Sequence, residues 1–139
     1  MAEQILYPMF VMAALALYVG VRVSNLRVRA VMRGEIKASY FKYNRGGELP
    51  EYILRTEQNY SNQFELPVLF YAACLLAYSA SLVDVVNIGL AWLFVAGRLM
   101  HAYTHIRVNK LMKRRRTFII GYVALMGLWL ELLVRLIIR

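Results

Sequence analysis

Cysteine is almost missing from this chain. Cys74 stands alone, so no internal disulfide framework can form, and a single thiol inside an apolar run says nothing about redox compartment. Proline is also scarce, with three in 139 residues. Acidic side chains number 8 against 17 Lys and Arg. Several chemistries are excluded outright. The sequence contains no glycine-rich phosphate loop and no nucleophile elbow. The two histidines, His101 and His105, have no carboxylate or cysteine at ligand spacing on their own segment, so no metal site is expected. There is no internal repeat and no low-complexity tract. The first apolar run lacks a basic leader and a clear small-residue cleavage site, so a cleavable signal peptide is not expected.

Hydrophobic length is abundant. The chain is 60% hydrophobic with a mean hydropathy of +0.49, yet its net charge is +9. The apolar residues gather into four runs, Ile5–Val21, Leu66–Val83, Val85–Ile106 and Thr117–Ile138. A bilayer core about 30 Å thick takes roughly 20 helical residues to cross, and each run is near that length. Inside hydrocarbon every backbone amide must bond within its own segment, which requires helices. The expected architecture is therefore all-α: a single bundle of four transmembrane helices formed by residues 1–139.

The cations set the orientation. Eight lie between the first two runs (Arg22, Arg27, Arg29, Arg33, Lys37, Lys42, Arg45 and Arg55), and six lie between the last two (Arg107, Lys110, Lys113, Arg114, Arg115 and Arg116). Lys and Arg in short loops stay cytoplasmic. Both basic intervals are thus expected inside and both termini outside. A sequence pI near 10.0 can signal nucleic-acid binding, but topology already accounts for these cations. No nucleic-acid partner is expected, and anionic membrane lipid is the nearer one.

Prolines and small residues place the helix details. Pro8 falls in the first turn of the first helix, where a missing N–H costs little. Pro50, with Glu51 and Glu57 behind it, marks an early start for the second helix. A helix from Glu51 makes Pro67 an internal kink; one starting near Leu66 puts Pro67 in its first turn. The longer helix is the expectation. Ala16 and Gly20, and Ala73, Ala77 and Ser81, offer small-residue faces for helix contacts.

Charges at membrane depth mark the candidate site. Glu65 precedes Pro67, and Arg98, His101 and His105 share one helical face through spacings of three and four. Buried charges in a span are costly and usually paired. Glu65 and Arg98 are expected to form an interhelical ion pair, either purely structural or flooring a polar cavity open to the cytoplasm. Glu131 and Arg135 can pair along the last helix. The run Lys113–Arg116 opens that helix, either as a topology anchor or as an anion site built from arginine and free N–H groups.

Taken in order, these residues resemble the MAPEG family, the membrane-associated proteins of eicosanoid and glutathione metabolism. The resemblance rests on Arg55-x-x-x-Asn59, on Asn62-Gln63-Phe64-Glu65-Leu66-Pro67-Val68-Leu69-Phe70-Tyr71, on Arg98-x-x-His101 and on the basic start of the last helix. It covers essentially the whole chain and looks closest to bacterial members. It implies a homotrimer, in a bacterial inner membrane, with glutathione as the cofactor or co-substrate of active members, bound between subunits near the cytoplasmic side. By resemblance, Arg27, Arg55, Asn59, His101 and His105 would contact glutathione or another anion. Arg98 would partner the glutamate of the second helix. Arg114, with Lys113 and Arg115 as alternatives, would be the catalytic cation that stabilises the thiolate.

The chain departs from that pattern at three places. Glu57-Gln58 stand where active members carry a His-Arg pair. Asn62 occupies the register of the motif glutamate. Phe118, four residues after Arg114, has no hydroxyl. Each lost cationic donor removes a charge-assisted bond of roughly 1.5–3 kcal/mol. The expected function is binding of a lipid or lipophilic ligand at intersubunit grooves with little or no glutathione chemistry. The alternative is a glutathione-dependent transferase or peroxidase acting on lipophilic electrophiles.

Overall fold

A computed structural model describes residues 2–108 and 110–138. Met1, Asn109 and Arg139, the last counted above among the cations, lie outside the described residues. The described residues are mostly helical, with no strand among them.

A short 3-10 turn, Ala2–Ile5, leads into helix α1, Leu6–Met32, with Pro8 in its first turn as expected. Gly34, at φ +71°, turns the chain after α1 through a backbone conformation that a Cβ would strain. The link that follows holds a single helical turn, α2, Tyr40–Tyr43, closed by Asn44 in the left-handed region. Pro50 then caps α3, Glu51–Ser61, which matches the expected start.

The continuous second helix does not form. After Ser61 the chain tightens into a 3-10 turn, Asn62–Phe64, breaks at Glu65 (φ −99°, ψ −101°) and restarts as α4, Leu66–Ser79. Pro67 sits in the first turn of α4 and is not an internal kink. It has no N–H to continue a ladder from α3. Helix α4 has 14 residues, about 21 Å of rise, short of a full crossing by itself.

Helix α5, Val85–Tyr103, begins with a reciprocal capping box: Asn87 N–H donates to the Asp84 carboxylate, and the Asn87 side-chain oxygen accepts from Asp84 N–H. It ends in a π-helical turn, Thr104–Val108. Helix α6, Leu111–Ile138, starts well before Thr117, so the cationic run lies within its opening turns. Among the described residues, three segments are long and apolar enough to span a bilayer: Ala2–Met32, Val85–Val108 and Leu111–Ile138.

The main core lies between α1, α4, α5 and α6. Met12, Phe70, Cys74, Phe94, Leu128 and Leu132 are fully buried there, and the Phe70 and Phe94 rings stack with centroids 4.4 Å apart. Ala73 and Ala77 of the predicted small-residue face are buried, whereas Ser81 is exposed. Helices α5 and α6 cross at Gly97 and Gly121. A Cβ on Gly97 would stand 2.8 Å from the Gly121 backbone nitrogen. The outward faces remain strongly apolar, with Leu17, Val85, Val123 and Ile137 all well exposed, as a surface solvated by lipid tails requires.

Candidate functional site

A layer of buried polar side chains fills the space between α3, the end of α5 and its π-helical turn. Asn59 and Gln63 come from α3 and the 3-10 turn beyond it, Arg98 and His101 from α5, and His105 from the π-helical turn. All five are buried. The spacing of four brings Gln63, in the 3-10 turn, onto the face of Asn59, and spacings of three and four do the same for Arg98 and His101 of α5 and His105 of the π-helical turn.

Their bonding is incomplete. The Gln63 amide donates to the Asn59 carbonyl at 3.1 Å and to its side-chain oxygen at 3.2 Å. Asn59 Nδ2, Gln63 Oε1, Arg98 Nε, His101 Nε2 and both ring nitrogens of His105 have no hydrogen-bond partner among the described residues. His101 Nδ1 lies 3.1 Å from the Arg114 carbonyl, which can only accept. Nδ1 therefore carries the proton, and in the neutral ring Nε2 is an unused acceptor. Buried groups of this kind normally find a partner, so the layer has capacity left for water or a polar ligand group.

The sequence-derived residues divide into those that meet at this layer and those that do not. Asn59, Arg98, His101 and His105 are part of it. Arg114, Arg98, His101 and Arg55 all lie within electrostatic reach of His105. Of the run Lys113–Arg116, Arg114 is the half-buried member and its neighbours are exposed, which favours it over Lys113 and Arg115 as the cation nearest the histidines. Arg55 is ion-paired to Glu51 one turn earlier on α3.

The direct Glu65–Arg98 ion pair is not formed within the chain. Glu65 sits at the exposed break between α3 and α4. The Arg98 guanidinium instead donates to the Asn62 carbonyl at 2.6 Å. The physical cause is the break itself: the 3-10 turn frees the Asn62 carbonyl from an α-helical ladder and turns it into the acceptor that Arg98 uses. The two charges remain within electrostatic range.

Arg27 is held elsewhere. Its Nε donates to Glu57 at 2.7 Å, and its guanidinium lies 5.2 Å from the centre of the Phe41 ring. Residue 57 is about 200° around α3 from both Arg55 and Asn59, so Arg27 meets the flank of α3 opposite the polar layer. There it borders a cavity of about 570 Å³ whose walls include Val23, Val31, Met32, Phe41 and Tyr60.

Sequence reasoning missed several features. Gln63 was legible only as a polar residue between apolar ones. The π-helical turn that carries His105 has no sequence signal. The expected Glu131–Arg135 pair is present but belongs to a larger network: Arg135 also donates to Asp84, and the Asn87 amide donates to Glu131 at 3.2 Å and to the Leu82 carbonyl at 2.8 Å. No group of three or more potential metal ligands occurs among the described residues.

Comparison with known proteins gives a single family. The family model described as the MAPEG family matches residues 5–134, nearly the whole chain. No curated protein and no solved structure matches significantly. The three spanning helices and this match make the protein an integral membrane protein, and the chain belongs to the MAPEG family.

Proposed function

We propose that this MAPEG protein binds a lipid or lipophilic ligand in grooves between the subunits of a homotrimer, with little or no glutathione chemistry. The observation that carries this reading is the Arg27–Glu57 ion pair. Glu57 stands where active members of the family carry the histidine of the His-Arg pair, and it occupies the arginine that the resemblance assigns to glutathione. A carboxylate already held at 2.7 Å must be displaced before a ligand anion can use the same guanidinium. The cavity beside that pair is walled mainly by aliphatic and aromatic side chains, which suits an apolar ligand body with one polar end. Phe118 packs against His101, with ring centroids 5.7 Å apart, and brings no hydroxyl to a thiol.

In this reading α3 and α4 together make the fourth crossing. Both basic intervals face the cytoplasm of a bacterial inner membrane, and both termini lie outside. A second reading, a glutathione transferase or peroxidase, is favoured by one observation: Arg114 is the half-buried cation of its run and lies within reach of His101 and His105. Its guanidinium would lower the thiol pKa so that thiolate, the nucleophile, is present at neutral pH. Isothermal titration of the purified protein with glutathione, together with a conjugation assay on a reactive aryl halide, separates the two. Weak or absent binding and no turnover are expected. Low-micromolar binding with turnover abolished by Arg114→Ala would establish the enzyme.

A further inference from the structure

On the flank of α1 turned toward α5 there is a second groove, distinct from both the polar layer and the Arg27 cavity. Its volume is about 250 Å³. Helix α1 lines it with Leu15, Tyr18, Val19 and Arg22, and α5 with its π-helical turn lines it with Leu99, Ala102, Tyr103, Ile106 and Arg107. The two helices repeat one pattern. Each presents an apolar turn, then a tyrosine, then an arginine four residues after the tyrosine. One such step is about 6 Å along a helix axis. Leu15, Leu99 and Ala102 therefore lie toward one end of the groove and both guanidinium groups toward the other, with Ile106 beside Arg107.

We infer that this groove is a binding site for an anionic phospholipid, with an acyl chain along Leu15, Val19, Leu99 and Ala102 and the headgroup phosphate between Arg22 and Arg107. Charge complementarity identifies the occupant. No carboxylate lines the groove, and neither arginine has an ion-pair partner among the described residues. Arg22 Nε is shielded from solvent without a hydrogen-bond partner among the described residues, and the guanidinium's hydrogen bond to the Tyr18 hydroxyl is a long one, 3.5 Å. A buried donor left in this condition calls for an acceptor, and guanidinium geometry suits phosphate oxygens. Tyrosine just above a cation is the arrangement of a membrane–water interface, where amphipathic rings sit at headgroup level and cations meet anionic lipid. An apolar slot with a cationic floor at that depth fits a lipid better than a soluble anion, which would leave the slot empty.

Native mass spectrometry of the purified full chain tests this, using phosphatidylglycerol and phosphatidylcholine with the same acyl chains. Phosphatidylglycerol should be retained preferentially. Arg22→Gln/Arg107→Gln should weaken retention roughly thirtyfold, as loss of two near-surface cations at about 1 kcal/mol each implies. Arg107→Gln alone should weaken it measurably; Arg107 is exposed, so this variant is expected to fold. Lys42→Gln, which removes a cation away from the groove, should leave retention unchanged. Equal retention of the two lipids would overturn the inference. So would unchanged retention in both arginine variants, an equal loss with Lys42→Gln, or displacement of the lipid by an equal concentration of inorganic phosphate.

Discussion

Glu57 accepts the Arg27 Nε–H at 2.7 Å, and both side chains are only partly exposed. An incoming anion thus competes with a carboxylate that the fold supplies. The pair joins α1 to α3, so its removal also loosens one helix contact, but an ion pair this exposed contributes only about 0.2–1 kcal/mol to stability. Its larger effect is on ligand choice. Glu57→Gln keeps the side-chain volume and removes the competing charge. Titration of this variant with glutathione should show binding at least roughly tenfold tighter than the parent, the gain of one charge-assisted bond of about 1.5–3 kcal/mol. Arg27→Ala in the same background should abolish that gain. An unchanged affinity in Glu57→Gln would mean that the pair does not gate the site.

At the scale of elements, the α5–α6 crossing depends on two positions without side chains. A Cβ on Gly97 would meet the Gly121 backbone nitrogen at 2.8 Å, and a backbone atom cannot rotate aside. Gly89, eight residues earlier on the same helix, has open space where its Cβ would be. Gly97→Ala should therefore cost about 1–3 kcal/mol through overpacking, whereas Gly89→Ala should be neutral or gain up to about 1 kcal/mol from helix propensity. Unfolding in detergent measures both, and equal effects would show that the close crossing does not hold the bundle together. Neither glycine was singled out by local pattern, because what makes Gly97 special is Gly121, 24 positions away in the sequence. The same limit explains other differences. Apolar length is a local property, so the start of α1, both ends of α5 and the end of α6 were legible, whereas α1 runs on past Val21 to Met32 and α6 begins before Thr117, because both helices continue through cationic stretches that end the apolar runs. The arginine at the end of α1 was visible, but not that Glu57 would take it up. Arg98 was recognisable as a buried charge needing a partner. Its partner turned out to be the Asn62 carbonyl, because the acceptor is created by a helix break rather than by a residue type.

For the whole molecule, the two ends of the bundle differ in whether their charge is satisfied internally. At the Asp84 end, Arg135 is bound by both Asp84 and Glu131, and Asn87 ties Glu131 to the start of α5. That end carries almost no uncompensated positive charge. At the other end Arg22, Arg29, Lys42 and Arg107 are without a salt-bridge partner among the described residues. The rule that keeps Lys and Arg cytoplasmic acts on the cations of short loops, and here the asymmetry is nearly complete: eight plus six of the 17 cations flank one side. Cys74 is buried, so single introduced cysteines can report position against a low background. Lys42→Cys, in α2, and Ser81→Cys, exposed in the turn after α4, lie at opposite ends of the bundle. A membrane-impermeant maleimide added to intact cells should label Ser81→Cys and reach Lys42→Cys only after lysis. Labelling of Lys42→Cys but not Ser81→Cys in intact cells would reverse the orientation and place the basic face, with the Arg22–Arg107 groove, outside the cell.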